Sequence, residues 1–254
     1  MDYVDVEDAR AQPGLKLVLT AGVPGPWGEA AKGILAHKGL DYLPVRQDAG
    51  QANDALRAWT GQDSAPVLVG DSLPPASHWL DILQHAERLA PQAPLLPREP
   101  GLRAQAIGLC ALIAGVNGFG WQRRLLLLAP GMQLDEPPAA VARMAAKYGW
   151  SAAAAEAALA ELQAISAHLD AVLAQAEEEN RAYFVGNALG AADIYWATFA
   201  TMIDPLPEDV CPMPPFMRTT YSSGGEAIGA LMTPRLRAHR DRIYQRHLGL
   251  PLDF

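Results

Sequence analysis

The sequence predicts an α/β unit in its first third and an all-α unit in the remainder. Three observations carry that expectation. Short apolar runs alternate with helical patterns as far as Leu89 and then stop. Prolines cluster at Pro91, Pro94, Pro97 and Pro100, the punctuation of a linker. Beyond Gly101, alanine, leucine and arginine recur at helical spacing with no strand signal of weight. At roughly 150 residues per domain, 254 residues make about 1.7 domains, which suits such a division. The expected boundaries are residues 14–91 for the α/β domain and 101–250 for the helical one.

Each element has its own signal. The first ten residues carry Asp2, Asp5, Glu7 and Asp8, and read as an acidic, poorly ordered lead-in without the features of a signal peptide. Residues 16–20 (KLVLT) read as a short buried strand. A helix opens at Pro26, where the missing N–H costs nothing, and closes at Gly39 in the place of a C-terminal glycine cap. Residues 42–45 suggest a second strand and 53–59 a short helix. A third strand, 65–69, is entered through Pro66. A turn at Gly70 and Asp71 then leads to an amphipathic helix over 77–89. In the second half Ser151 caps a long helix marked by Leu162, Ile165, Leu169, Val172, Leu173 and Ala176. Another helix opens near Gly190, and a basic one spans 234–248 after a proline-rich connection at 205–215.

Composition excludes several functions. Half of the residues are hydrophobic and 19% are charged, an ordinary globular balance. Twenty basic residues against 28 acidic ones leave a net charge of −8, which argues against nucleic acid or an anionic membrane as partner. Cys110 and Cys211 are too few for a disulfide framework, so a reduced, cytoplasmic setting is the simplest expectation. Residues 104–122 carry no charge, but Gln105, Asn117 and four glycines interrupt them, which fits a buried helix better than a membrane span.

Three local patterns point to a family. Pro24-Gly25 precedes the first long helix, and Ala65-Pro66-Val67-Leu68 enters a strand through a proline. Tyr183-Phe184-Val185-Gly186 is followed by Gly190-Ala191-Ala192-Asp193-Ile194. As a set, over residues 14–205, these resemble the cytosolic glutathione transferases. The resemblance implies a thioredoxin-like N-terminal domain plus an all-α C-terminal helical domain, with glutathione as co-substrate and a homodimer as the assembly. It also implies a cis Ala65-Pro66 bond, with the Ala65 backbone pairing with the cysteinyl part of glutathione. Asp193 would then accept hydrogen bonds at the start of its helix, a structural role. Gly190 stands where Ser or Thr is usual, so the reciprocal half of a capping box is missing.

The chemistry such enzymes perform needs a thiolate, and a free thiol of pKa about 8.5 is only a few per cent ionised at pH 7. The family activates the thiol with a Tyr, Ser or Cys near the first strand and helix. Counting back from Gly39, those places fall on Trp27 or Gly28 and near Ala21, none of which carries a hydroxyl or thiol. Two substitutes remain open: the Thr20 hydroxyl, and the backbone N–H groups of Trp27 and Gly28 at the helix start. Thr20 reads equally as a plain strand-end threonine, and Trp27 as an aromatic wall or core residue. The glutamyl end of glutathione would meet Ala76-Ser77, where an acidic residue followed by Ser is usual, with Asp71 or Asp81 compensating for the lost carboxylate. Ser77 could also be the N-cap of its own helix. The expected site is therefore Thr20 and Trp27 for catalysis, with Trp27, Gly28, Ala65, Pro66 and Ser77 for glutathione.

Phe119, Trp121 and Tyr148 are candidates for the wall of a hydrophobic co-substrate pocket, with Arg123 or Arg124 for an anionic group. His78 and His85 lack a third ligand, so no metal site is expected. His239-Arg240-Asp241 reads as a chance tripeptide on a basic helix, and Cys211 as an exposed loop thiol. Two functions stay open: a transferase acting on an apolar electrophile by conjugation, isomerisation or dehalogenation, and a non-catalytic binding protein of the same fold. A disulfide oxidoreductase is a distant third, because no Cys-x-x-Cys follows the first strand.

Overall fold

A computed structural model describes residues 1–254. The chain divides into two compact units. The first comprises Met1–Leu95 with Pro207–Pro214 and Tyr244–Phe254; the second comprises Leu96–Leu206 with Pro215–Ile243.

In the first unit the elements run α1 (Val6–Arg10), β1 (Lys16–Thr20), α2 (Pro26–His37), β2 (Leu43–Gln47), α3 (Asp54–Thr60), β3 (Val67–Gly70), β4 (Leu73–Ala76) and α4 (Trp79–Leu89). The strands form one sheet in the order β2-β1-β3-β4. β1 pairs parallel with β2 and antiparallel with β3, and β3 pairs antiparallel with β4. This is the mixed sheet of a thioredoxin-like domain. Alternation along the strands sorts the core. Val18, Val45, Val67 and Val69 join Val6, Ala9 and Leu56 of α1 and α3 in one cluster. Leu17, Leu19 and Leu68, also buried, point the other way, where Gly28 of α2 comes so close that an added Cβ would lie 3.1 Å from Leu19 Cδ2. α2 ends in a Schellman arrangement: Lys38 is the C-cap and Gly39 has φ +62°. There the Leu40 N–H donates to Leu35 O at 3.0 Å.

Three expectations change in this unit. The N-terminal lead-in is ordered, because Val4 hydrogen-bonds the edge of β2 and Val6 and Ala9 are buried under α1. A fourth strand, β4, follows the turn; its Pro74 and Pro75 hide the strand signal but are tolerated at a sheet edge. The last helix starts at Trp79 with His78 as N-cap, so Ser77 does not cap it.

The second unit contains α5 (Pro100–Ala114), α6 (Phe119–Met132), α7 (Ala139–Tyr148), α8 (Ala152–Glu178), α9 (Ala191–Phe199), a 3-10 turn (Ala200–Met202), α10 (Pro215–Tyr221) and α11 (Gly225–Gly229). α12 (Pro234–His247) closes the series. α6 packs on α8 and α5 on α9. Ser151 caps α8 by accepting from the Ala154 N–H at 3.1 Å. The last proline of the linker cluster, Pro100, is the first residue of α5, and Glu99 caps that helix through the Gly101 and Leu102 N–H groups. The charge-free stretch is two helices broken at 115–118. α5 and α6, of 15 and 14 residues, span about 22 and 21 Å. Each falls short of a bilayer core of about 30 Å.

Candidate functional site

The sheet register brings the expected glutathione contacts to one end of the first unit. β1 runs toward Thr20, and the first turn of α2, with Trp27 and Gly28, follows after five intervening residues. β3 is antiparallel, with Val18 opposite Val67, so the residue beyond its start that extends toward Thr20 is Ala65. β4 runs back along β3, with Ala76 opposite Leu68, and delivers Ser77 to the same end. The Ala65–Pro66 peptide bond is cis. Neither the Ala65 N–H nor its C=O enters a hydrogen bond of the chain, so both remain available for strand-like pairing. Pro66 is buried, while Trp27, Gly28, Ala65 and Ser77 are half-buried.

Thr20 is differently placed from what a thiol activator requires. Its hydroxyl donates to Gln47 Oε1 at 2.6 Å, across the β1–β2 pair. Gln47 is buried and donates in turn to the carbonyls of Asp48 at 2.9 Å and Asp63 at 3.4 Å. The hydroxyl proton of Thr20 is thus committed to a buried amide. The backbone N–H of Gly28 is oriented by helix geometry toward the N-terminal end of α2, as first-turn N–H groups are. Of the two substitutes for an activating side chain, the helix start is the one whose donor is aimed outward.

Asp71 cannot compensate for the missing carboxylate beside Ser77. It sits at the opposite end of the sheet, where β3 ends and β1 begins. There it accepts from the Gly14 N–H at 2.8 Å and from Lys16 Nζ at 3.2 Å. The Gly14 N–H first, and Lys16 second, hold its carboxyl below the usual range. Asp81, exposed in the first turn of α4, is the acidic residue near Ser77 in the fold.

In the second unit the aromatic candidates separate. Phe119 is fully buried, edge-on to Trp196 at 5.3 Å, and is a core residue. Trp121 and Tyr148 keep part of their surface exposed and meet edge-to-face at 4.6 Å; the Trp121 indole also donates to the Tyr148 carbonyl at 2.9 Å. Arg123 is buried, and its guanidinium donates to the carbonyls of Met202, Tyr221 and Ser223. It is a structural cross-link, with Nε and Nη2 committed to backbone carbonyls. Arg124 remains half-buried beside two phenols.

Other residues set aside by the sequence reading turn out to be structural. Asp193 is 1% exposed and accepts from the Phe184 N–H at 3.0 Å and the Gly190 N–H at 2.8 Å. Its Oδ1 also lies 2.9 Å from His239 Nε2. The Arg242 guanidinium reaches His239 Nδ1 at 2.7 Å, and a guanidinium can only donate. Nδ1 therefore accepts and Nε2–H donates to Asp193. His239 and its neighbour Arg240, bonded to Asp204 at 2.5 Å, are both buried on α12 and hold structural contacts. Cys211 is buried, against the expectation of an exposed thiol, and Cys110 is buried with its thiol pushed far up by desolvation.

Comparison with known proteins agrees with this architecture. Residues 138–216 match the family model described as glutathione S-transferase, C-terminal domain. No curated protein matches the sequence. A glutathione S-transferase from Methylobacterium radiotolerans, in complex with glutathione sulfonate, aligns with a TM-score of 0.64 at 19% identity over 91% of each chain. A glutathione transferase family member from Pseudomonas fluorescens, with two glutathione bound, aligns with a TM-score of 0.65 at 16% identity over 97% of this chain and 98% of its own. One from Methylobacillus flagellatus, with glutathione bound, gives 0.66 at 16% over 91% and 95%. The chain has the fold of these glutathione transferases, and its residues 138–216 are similar to their C-terminal domain.

Proposed function

We propose that the chain is a glutathione-dependent transferase that presents the glutathione thiolate to an apolar electrophile. One observation carries the reading: Ala65 with an open backbone, the first turn of α2 and Ser77 converge on one end of the sheet. The glutathione or glutathione sulfonate bound in the structural relatives supports the same ligand here. Ala65 would pair with the cysteinyl backbone, Ser77 would hold the glutamyl end, and the thiolate would lie at the N-terminus of α2, where N–H groups and the helix dipole favour negative charge. Thr20 then shapes the site through Gln47 without donating to sulfur. The reading includes a cytoplasmic homodimer; Leu102 and Leu112 of α5 and nearby Val116 are exposed apolar residues suited to a subunit contact.

The test is direct. Glutathione at a hundred times its Kd should stabilise the fold by about 2.7 kcal/mol and raise the melting temperature. It should also form a conjugate with 1-chloro-2,4-dinitrobenzene. The absence of both the shift and the conjugate would overturn the proposal. A second reading, a binding protein without turnover, is favoured by the Thr20–Gln47 bond, which leaves no side-chain hydroxyl for the thiol. It predicts the thermal shift without the conjugate.

A further inference from the structure

Val18 and Thr20 of β1, with Val45 and Gln47 of β2, alternate onto one face of the sheet, the face of the valine cluster. The last pair of that series, Thr20 opposite Gln47, is polar where the pattern calls for apolar residues. Gln47 is nonetheless buried, and its carboxamide is fully paired. Oε1 accepts from the Thr20 hydroxyl at 2.6 Å; Nε2 donates to Asp48 O at 2.9 Å and to Asp63 O at 3.4 Å. The Gln47 backbone carbonyl accepts from the Ala21 N–H at 3.1 Å. Asp48 is tied onward to Asn53, which accepts from its N–H at 3.1 Å and donates to its carbonyl at 3.0 Å. These contacts reach both loops that frame the expected glutathione end. Ala21 opens the loop leading into the first turn of α2, and Asp63 stands two residues before Ala65. The β1–β2 ladder ends at Thr20 and Gln47, and from there one amide side chain spans to the loop before Ala65.

We propose that Gln47 is a positioning residue for glutathione: its side chain fixes the loop entering α2 relative to the loop carrying Ala65, and so sets affinity without touching the ligand. This role presupposes the glutathione binding proposed above. An apolar side chain would fill the same place on the valine face, but apolar contact is non-directional. The hydrogen bonds of a carboxamide are directional, and a spacer between two loops needs that property. Loss of the spacer leaves the N–H groups at the start of α2 where they are, so the thiol of bound glutathione keeps its acidity. KM for glutathione should therefore rise with kcat little changed, the signature of binding shared by ground state and transition state.

The test titrates S-methylglutathione, whose sulfur carries no titrating proton, calorimetrically into the full chain. Gln47→Leu should weaken binding at least tenfold, and Thr20→Val about threefold. Lys38→Met removes a buried cross-link at the other end of α2, where Nζ donates to Ala90 O at 3.0 Å. It should lower the melting temperature without moving the affinity. Gln47→Glu gives a readout that a merely structural role would not move. Its carboxylate can accept from Thr20 but cannot donate to the two carbonyls, whereas its protonated form can donate to one. Burial raises the pKa of such a carboxyl; the charged side chains on the segments it meets are the Arg46–Asp48 and Arg57–Asp63 pairs. The affinity of Gln47→Glu relative to wild type should therefore recover at least threefold from pH 8 to pH 5.5. Wild-type affinity in Gln47→Leu overturns the proposal, as does a relative affinity of Gln47→Glu that is flat with pH. If Gln47→Leu does not fold, Thr20→Val and the pH profile of Gln47→Glu decide in its place. A wild type that binds neither S-methylglutathione nor glutathione overturns the glutathione reading and this role together. Binding by the wild type with unaffected variants overturns this role alone.

Discussion

Thr20 shows how a single hydrogen bond decides a chemical role. By position it is the hydroxyl at the end of β1, where the strand leads to α2. By geometry its proton belongs to Gln47, itself 6% exposed and held by two carbonyls. Thr20→Val should therefore cost about 1–3 kcal/mol in urea denaturation, because a buried amide oxygen is left unsatisfied. The thiol of bound glutathione, followed by thiolate absorbance against pH, should change by less than half a pH unit. A rise of a full unit or more would return Thr20 to the role of activating donor. This distinction lay beyond the sequence, since Gln47 is 27 residues away and only the parallel β1–β2 register brings the pair together. The position of Ala65 was legible, because a proline-led strand fixes it, whereas Ser77 is carried by β4, whose signal the prolines hide. The partners of Arg123 were not legible either, being carbonyls some 79–100 residues distant.

Among the elements, α9 and α12 are joined by charged groups taken out of water. Asp193 gathers the Phe184 and Gly190 N–H groups and the His239 ring. Gly190 offers no side chain to cap the helix reciprocally, so the carboxylate alone satisfies the N-cap backbone and the loop before it. Asp193→Ala should strand three donors, two of them buried, and lower stability by about 3–5 kcal/mol, as read from the shift of the urea midpoint. A loss below 1 kcal/mol would show the network to be dispensable. Asp204 makes a second joint, to Arg237 and Arg240 of α12. Burial pushes its carboxyl up, but the bond from Arg237 and the charges of Arg240 and Arg237 outweigh it and hold the pKa below 3.8. The folded value being lower than the unfolded one, this joint stabilises fully above the unfolded pKa and is lost as pH falls through the folded one. The melting temperature should drop from pH 5 to pH 3, and Asp204→Asn should flatten that drop. An equally steep drop in the variant would remove Asp204 as its source. Elements with strong signals, such as Ser151 before α8 and Pro26 opening α2, were readable from the chain. β4 and α1 were not, because prolines masked the one and five residues are too few for a period in the other.

For the whole molecule, the proline cluster suggests two domains that meet at a linker, yet contacts divide the chain otherwise. Pro207–Pro214 and Tyr244–Phe254 belong to the first unit, although they lie beyond most of the second in sequence. They bring buried Cys211, Met213 and Tyr244 to it. Their ties are specific: Leu252 N–H donates to Val210 O at 2.8 Å, Lys32 Nζ donates to Asp253 O at 2.6 Å, and the Met1 amino group pairs with Asp253. The linker itself is pinned, with Leu95 and Leu96 buried and the Leu95 N–H bonded to Glu87. An α/β unit of 95 residues, cut free at the linker, would lose those three side chains, each worth roughly 1.5–3 kcal/mol of burial. That sum of about 4–9 kcal/mol is comparable with the entire stability of a small domain. A fragment of residues 1–95 should therefore show no cooperative thermal transition by circular dichroism, whereas the full chain should melt cooperatively. Ending the chain at residue 243 should lower the melting temperature and weaken glutathione binding, since Lys32 lies on α2, the helix whose N-terminus would hold the thiolate. A fragment 1–95 that melted as sharply and as high as the full chain would show instead that the first unit stands on its sheet alone.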